Sequence, residues 1–320
     1  MTRKWLVVPV LLAVLLAGCS PATPVAPVAT AVPVAPEPFA GKTFYWLAAV
    51  NGDPFYIAGK AGWDAAAKDL GVQVKFVGPL DASLSEHNKI FEQLIADPNT
   101  AGILLYLMDF NAERPLVEEA QAKGIPVIIA NTDSPFPRLG FVGTDHAQVG
   151  RSAAAIAAKA IGCKGSVGTI GNDSVVVPLR MKSFDEEMAK LCPDVEIVPM
   201  QTYHDAATQI LATVDSYMIA HPDLTLLWFA DGSSNKEIGP WRERIQAGSK
   251  TLFLGADMPK VALEAVKDGT WVGTVGQDTY SEEYWGLTYL VFAAQGKPVP
   301  DVTFVGAMNV TKDNVDQYLK

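Results

Sequence analysis

A chain of 320 residues with 35 acidic against 25 basic side chains, formally −10 at neutral pH, repels phosphate backbones and anionic headgroups, which excludes nucleic acid and acidic lipid surfaces as partners. Arg3 and Lys4 belong to a leader that export removes, so the remainder is more acidic still, at −12. Hydrophobic residues make up 49% of the chain, and its length suits two lobes of ordinary domain size better than one enlarged core.

In chain order, Arg3 and Lys4, the apolar run 5–16 and then "LAGC" read as a secretory leader, residues 1–18. Its hydrophobic part is too short to remain as a spanning helix, so the protein is expected to be exported. Leu16-Ala17-Gly18-Cys19 resembles the bacterial lipobox, which implies that Cys19 becomes the new amino-terminus and carries lipid. An ordinary cleaved signal followed by a free thiol is the alternative. Residues 19–40 follow as a tether, with six prolines between 20 and 38 among alanine, valine and threonine and no periodicity that could bury a face. Extended at about 3.1 Å per residue, it would hold a body on the order of 60 Å from a membrane.

From residue 41 onward, short β-branched runs alternate with amphipathic segments, the pattern of βα units and parallel sheets. Strands are predicted at 43–50, 72–77, 102–107, 126–130 and 140–143, then at 166–170, 195–200, 225–230, 251–255 and 271–276. Between the first two, "VNGDPFYIAG" reads as a helix start, with Asp53 as N-cap and Pro54 at the first helical position. The helix would lay Phe55, Ala58, Gly62, Ala65 and Leu70 on a sheet and stop at Gly71, leaving Tyr56 pointing elsewhere. Further helices are predicted over 85–96, entered by the capping-box pattern Ser83…Glu86, and over 205–220, entered by Asp205. Trp46, Trp228 and Trp271, inside strands, read as core. The fold class is α/β, with two successive open parallel sheets. Cys163 and Cys192 both precede neighbouring strands at the amino-terminal edge; as an even pair in an oxidising compartment they are expected to form a disulfide, two buried thiols being the alternative.

Open parallel sheets bind ligands beyond the carboxyl ends of their strands. Those positions hold Asn51, Asp53, Phe55, Tyr56, Asp109, Asn131, Thr132 and Asp133 in the first half, and Asn172 and Asp173, with Arg180 further on, then Tyr203, His204, Asp205, Asp231, Asp257, Gln277 and Asp278 in the second. Planar acids and amides present forked acceptors and donors that suit neighbouring hydroxyls, and an aromatic face suits the C–H side of a sugar ring. Singly, each residue has a plainer reading. Asp53, Asp205 and Asp257 precede helices and could cap them; Tyr56 and Tyr203 could be surface or interlobe aromatics; Arg180 could pair with Asp185 or Glu186. The four histidines lack metal-ligand spacing, so no metal site is expected. The binding reading rests on convergence.

The segments "NGDPFYIAGKAGWDAAAKDLG", "GIPVIIANTDSP", "FVGTDHAQVGR", "VVPLRMKSFDEEM", "AHPDLTLLWFADGSS", "FLGADMPKVALEAVKDGTWVGTVGQD" and "GKPVPD", in this order and at these intervals, resemble bacterial periplasmic sugar-binding proteins of the ribose-binding type, the type I periplasmic binding protein fold, over nearly all of residues 41–315. The resemblance implies two Rossmann-like lobes, 41–144 with 279–304 and 145–278 with 305–320. Three crossings would join them, and they would close on a monosaccharide or polyol that is passed to the membrane permease of an ATP-binding-cassette importer. It implies ligand contacts from Asp53, Phe55, Tyr56, Asn131, Arg180, Tyr203, Asp257 and Gln277. Asp231 falls on or beside the position of a binding asparagine, with a following "GSSN" loop one residue longer. Ribose binders of the family commonly carry Asp-Arg where this chain has Asn131-Thr132. Loss of that guanidinium fork leaves a hexose, another pentose or a cyclic polyol open as ligand.

An exported hydrolase would need a nucleophile beside a base, yet there is no G-x-S-x-G elbow, H-E-x-x-H pair or P-loop, and His204–Asp205 has no evident third partner. No catalysis and no cofactor are expected, and the protein is expected to be a monomer, touching a membrane only through its lipid. A receptor presenting its ligand, including a furanosyl signal molecule, to a membrane sensor or chemoreceptor would use the same cleft and is the alternative function. A sugar-responsive repressor of this fold would need a DNA-binding helix pair where this chain has a leader and a tether.

Overall fold

The computed structural model describes residues 38–52, 55–203, 207–246 and 248–319. The leader, Cys19, most of the tether, Asp53, Pro54, His204 and Asp205 lie outside them. The chain divides into two units, Met1–Ala40 and Gly41–Lys320, and both sheets belong to the second.

The first lobe begins β1 (Thr43–Leu47), α1 (Tyr56–Leu70), β2 (Gln73–Val77), α2 (Leu84–Ala96), β3 (Thr100–Tyr106), α3 (Phe110–Ala122), β4 (Val127–Ala130), β5 (Phe141–Thr144). After Asp145 the chain enters the second lobe as α4 (His146–Ile161), β6 (Ser166–Asn172), α5 (Val177–Leu191), β7 (Glu196–Ile197), β8 (Gln201–Tyr203), α6 (Ala207–Ala220), β9 (Leu226–Phe229), a 3-10 turn (Gly232–Glu237), α7 (Ile238–Gln246), β10 (Leu252–Ala256), α8 (Lys260–Asp268) and β11 (Gly273–Gln277). It returns as α9 (Thr279–Ala294) and β12 (Val302–Val305), then crosses once more to β13 (Ala307–Thr311). The sheets run β12-β5-β4-β3-β1-β2 and β13-β11-β10-β9-β6-β7, with β8 continuing beside β6. Ladders are parallel except β11 with β13. Each sheet is an α/β open sheet whose order reverses once, between β1 and β3 and between β6 and β9, the switch points where ligands collect.

The crossings are held together locally. Asp145 and Asp278 cap α4 and α9 by accepting from the backbone N–H groups of Gln148 and Ser281, and the Asp278 N–H donates to the Gly306 carbonyl at 3.3 Å. Trp46, Trp228 and Trp271 are fully buried, although Trp271 precedes β11 instead of lying in it. The α2 cap forms through Ser83 and the Glu86 N–H, and Gly71 closes α1 at φ 67. Cys163 and Cys192 are joined by a disulfide, Cα–Cα 5.0 Å, beside β6 and β7.

Two expectations are corrected. The strand predicted over 195–200 shortens to β7, and the separate β8 begins only at Gln201, because Pro199 has no N–H for a ladder and turns its carbonyl to the Tyr217 hydroxyl at 2.9 Å. On α1 the buried face is Tyr56, Gly59, Gly62, Trp63, Ala66 and Ala67, one residue out of phase with the predicted stripe. Tyr56 goes inward while Phe55 stays half-buried and Ala58 exposed. Trp63 and Tyr56 carry more apolar area than the alanines of the predicted stripe, and Gly62 lets α9 approach: a Cβ there would land on the Tyr280 carbonyl. Hydrophobic area and backbone clearance together set the phase.

Candidate functional site

The residues after β4, β6, β9, β10 and β11 converge into two linked hydrogen-bond networks. Asn131 follows β4 with φ 65, and Asp257 follows β10 with φ 62, left-handed conformations that asparagine and aspartate tolerate best among residues with a Cβ and that tend to cluster at functional sites. Between them stands Gln277, the last residue of β11. Its Nε2–H donates to Asp257 Oδ1 at 3.1 Å, and its Oε1 accepts from Asn131 Nδ2–H at 3.2 Å. One amide thus uses both of its ends to bridge the lobes.

Arg180, on the first turn of α5 and 4% exposed, does not pair with Asp185 or Glu186. Its Nη1–H donates to the Ala230 carbonyl at 3.1 Å, and its Nε–H and Nη2–H both reach His146 Nδ1, at 3.1 and 3.0 Å. Burial lowers the arginine pKa, opposed by the charges of Asp257 and Asp231. Burial, and then the Arg180 charge, push His146 down to about 3, so at neutral pH the imidazole is uncharged. Nδ1 faces only donors and must accept, which puts the ring proton on Nε2, where it donates to the Asn131 carbonyl at 3.2 Å.

At the β6–β9 switch point, Asp231 is buried and receives three donors: the Tyr203 hydroxyl at 2.6 Å, the Asn172 N–H at 2.8 Å and the Ser233 N–H at 2.8 Å. Tyr203 is therefore a buried hydroxyl donor and Asp231 caps the 3-10 turn. A Cβ on Gly232 would fall on Asp257 Oδ2, so this turn packs directly against the second carboxylate. Asp257 itself is not the N-cap of α8, a place taken by Pro259.

In the first lobe Phe55 and Tyr56 meet edge to face at 5.2 Å, and Tyr56 joins Trp46, Phe76 and Tyr106 at 5.6–5.7 Å. Tyr56 is 9% exposed, more a wall of this cluster than an open stacking face. Below it lie Glu282 and Glu283, both fully buried. The Tyr106 hydroxyl lies 2.7 Å from Glu282 Oε1 and also contacts Glu283 Oε1. A hydroxyl has one proton and two ionised carboxylates can only accept, so at least one of the acids is protonated and donates to Tyr106. Burial pushes Glu282 up to about 8, with Tyr106 and Asn131 drawing it back down, and burial and the Glu282 charge hold Glu283 well above the carboxylate range.

Of the sequence-predicted residues, Asn131, Gln277, Asp257 and Arg180 lie in one network, Tyr203 and Asp231 in a second, and Phe55 and Tyr56 in an adjoining aromatic cluster. Asp53 lies outside the described residues. His146, Tyr106, Glu282 and Glu283 were not read as site residues. His146 directly follows the capping Asp145 after β5, a strand-end signal like the others, but four scattered histidines gave no metal spacing to single it out. Among the described residues no group of three or more His, Cys, Asp or Glu side chains is arranged to hold a metal ion. An arginine fork between two carboxylates, flanked by amides, offers donors and acceptors to a neutral molecule with several hydroxyls.

A family profile described as a periplasmic binding protein domain matches residues 44–298. Among solved structures, an ABC transporter solute binding protein from Burkholderia graminis C4D1M in complex with D-arabinose is 25% identical, with TM-score 0.78 over 87% of this chain and 98% of that one. A carbohydrate transporter solute binding protein from Agrobacterium radiobacter, in complex with D-arabinose, is also 25% identical, with TM-score 0.77 over 87% and 97%. A sugar-binding protein of a sugar ABC transporter from Bacillus halodurans shares 23% identity, with TM-score 0.80 over 87% and 100%. With a profile spanning most of the body and a fold similar to these structures, the chain belongs to the periplasmic binding protein family.

Proposed function

We propose that this protein is the substrate-binding component of an ATP-binding-cassette sugar importer, capturing a monosaccharide or related polyol between its lobes and delivering it to a membrane permease. The observation that carries the reading is the bridge Asn131–Gln277–Asp257 with Arg180 beside it: polar groups from both lobes meet at strand carboxyl ends, where a polyhydroxylated ligand can be gripped from both sides. Contacts made only in the closed state favour closure. Two similar structures described as complexes with D-arabinose support a sugar of pentose or hexose size. The lobes are taken as 41–144 with 279–304 and 145–278 with 305–320. Once the leader 1–18 is removed, lipid on Cys19 and the tether 19–40 would hold a monomer at the cell membrane, facing the periplasm or the cell exterior. Phe55 and Tyr56 are taken as the first-lobe side of the cleft, with Asp53 as a further contact implied by the sequence.

A thermal-shift panel of pentoses, hexoses, cyclic polyols and nucleosides tests this. A ligand at 1,000 times its Kd adds about 4 kcal/mol of apparent stability if it binds only the folded state. With the hit in hand, Asp257→Ala should weaken binding by on the order of 1.5–3 kcal/mol through loss of a charged acceptor, without unfolding the protein. No response across the panel, or unchanged affinity in Asp257→Ala, would overturn the reading.

A further inference from the structure

His146 touches both halves of the network through which the two lobes meet. We propose that His146 is a positioning residue: it fixes the Arg180 guanidinium for a ligand in the cleft and ties it across the lobes to Asn131. This rests on the sugar-binding reading above and assigns a role to a residue outside the ligand set.

The geometry leaves His146 little else to do. Both partners are almost fully buried, with 7% of His146 and 4% of Arg180 exposed. The ring takes two guanidinium donors on Nδ1 and gives its single proton to the Asn131 carbonyl. Arginine has five N–H groups; three go to His146 and Ala230, leaving one on each terminal nitrogen, the forked pair that suits adjacent hydroxyl oxygens. Those two can stay fixed only while the other three are satisfied, because an unpartnered buried donor would pull the side chain toward water.

Choice of an imidazole has a physical consequence. A carboxylate at this place would accept the same two donors but cancel the arginine charge. A neutral imidazole accepts them and leaves the charge to act on ligand oxygens, while Asp231 and Asp257 keep the guanidinium stable in its buried surroundings. The position is rigid as well. His146 opens α4 directly after the first crossing, and its predecessor Asp145 caps that helix and pairs with Arg151 at 3.1 Å.

The test is a mutant cycle on sugar affinity in the full protein, joined to nitrogen NMR of the imidazole. His146→Phe keeps the ring volume and removes both nitrogens; affinity should fall by about tenfold to a hundredfold. His146→Asn restores an acceptor near the Nδ1 place and should recover a large part of that loss. In an Arg180→Ala background His146→Phe should cost little more, since the acceptor no longer has a donor to hold. The ligand-free spectrum should show a neutral ring protonated at Nε2. Wild-type affinity in His146→Phe, fully additive losses, failure of His146→Asn to recover, or a proton on Nδ1 would each overturn the positioning role. If wild type binds nothing in the panel, the sugar reading falls, and the spectrum alone then decides whether His146 holds Arg180.

Discussion

Replacing Glu282 by glutamine should flatten the pH dependence of stability between about pH 5 and 8, because a buried acid with a raised pKa is a cost that grows with pH. In the unfolded chain this carboxyl releases its proton near its ordinary value of 4.5; in the fold it holds the proton to about 8. Between those values the native state binds more protons than the unfolded one, so the unfolding free energy falls as pH rises. The cost is absent below about pH 4.5, grows by about 1.4 kcal/mol per pH unit, and reaches roughly 3 kcal/mol at pH 7 from this residue alone. The charged and titratable neighbours are Glu283 on the same helix, Asp278 at its N-cap and Tyr106 from β3. On α1, which packs against this helix, the ion pair Lys60–Asp64 lies on the surface with its charges turned to each other at 2.8 Å. Glutamine keeps the shape and the acceptor for Tyr106 but cannot ionise; its amide N–H, buried where Glu282 Oε2 finds no hydrogen-bond partner among the described residues, should cost about 1–3 kcal/mol at every pH. The variant should therefore be less stable than wild type at pH 5 and approach or exceed it at pH 8. Urea unfolding at several pH values, with unchanged slope against denaturant, measures the difference. Parallel curves for the two proteins would refute a raised pKa at Glu282.

Three further outcomes follow from other contacts. Replacing Cys163 and Cys192 by serine opens a crosslink of sequence separation 29 and should remove roughly 2–4 kcal/mol, measured by urea unfolding of the variant against the oxidised wild type; equal stability would show that the bond contributes nothing. Gly62→Ala should destabilise the first lobe by about 1–3 kcal/mol, since the new Cβ meets backbone of α9 and not a movable side chain; an unchanged melting temperature would contradict that packing. Tyr203→Phe removes the hydroxyl donated to buried Asp231 and should lower ligand-free stability by about 1–3 kcal/mol, whereas a tyrosine acting only as a stacking face would leave ligand-free stability untouched.

Much of this protein is written locally. The alternation of β-branched runs and amphipathic segments fixes the α/β class, the Ser83…Glu86 pattern forms its cap, and Gly71 ends its helix, because each depends on residues within one turn or strand. Strand ends in an open parallel sheet are ligand ends, which is why Asn131, Asp231, Asp257 and Gln277 could be picked out by position, while Arg180, further on, came from the resemblance. Their partners could not. The phase of α1 was misread because it depends on how closely α9 approaches Gly62, a clearance no helical periodicity encodes. Whether Asp231 caps or contacts ligand depended on Tyr203, 28 residues away, and the bridge Asn131–Gln277 spans 146 residues. Arg180 beside Asp185 and Glu186 reads as a surface pair until the fold buries it on His146, and nothing local marks Glu282 and Glu283 as buried acids until Tyr106, 176 residues away from Glu282, is laid over them. Local chemistry sets which elements form and where they end; pairing between distant chain segments sets which polar groups lose water, and so which of them must find one another.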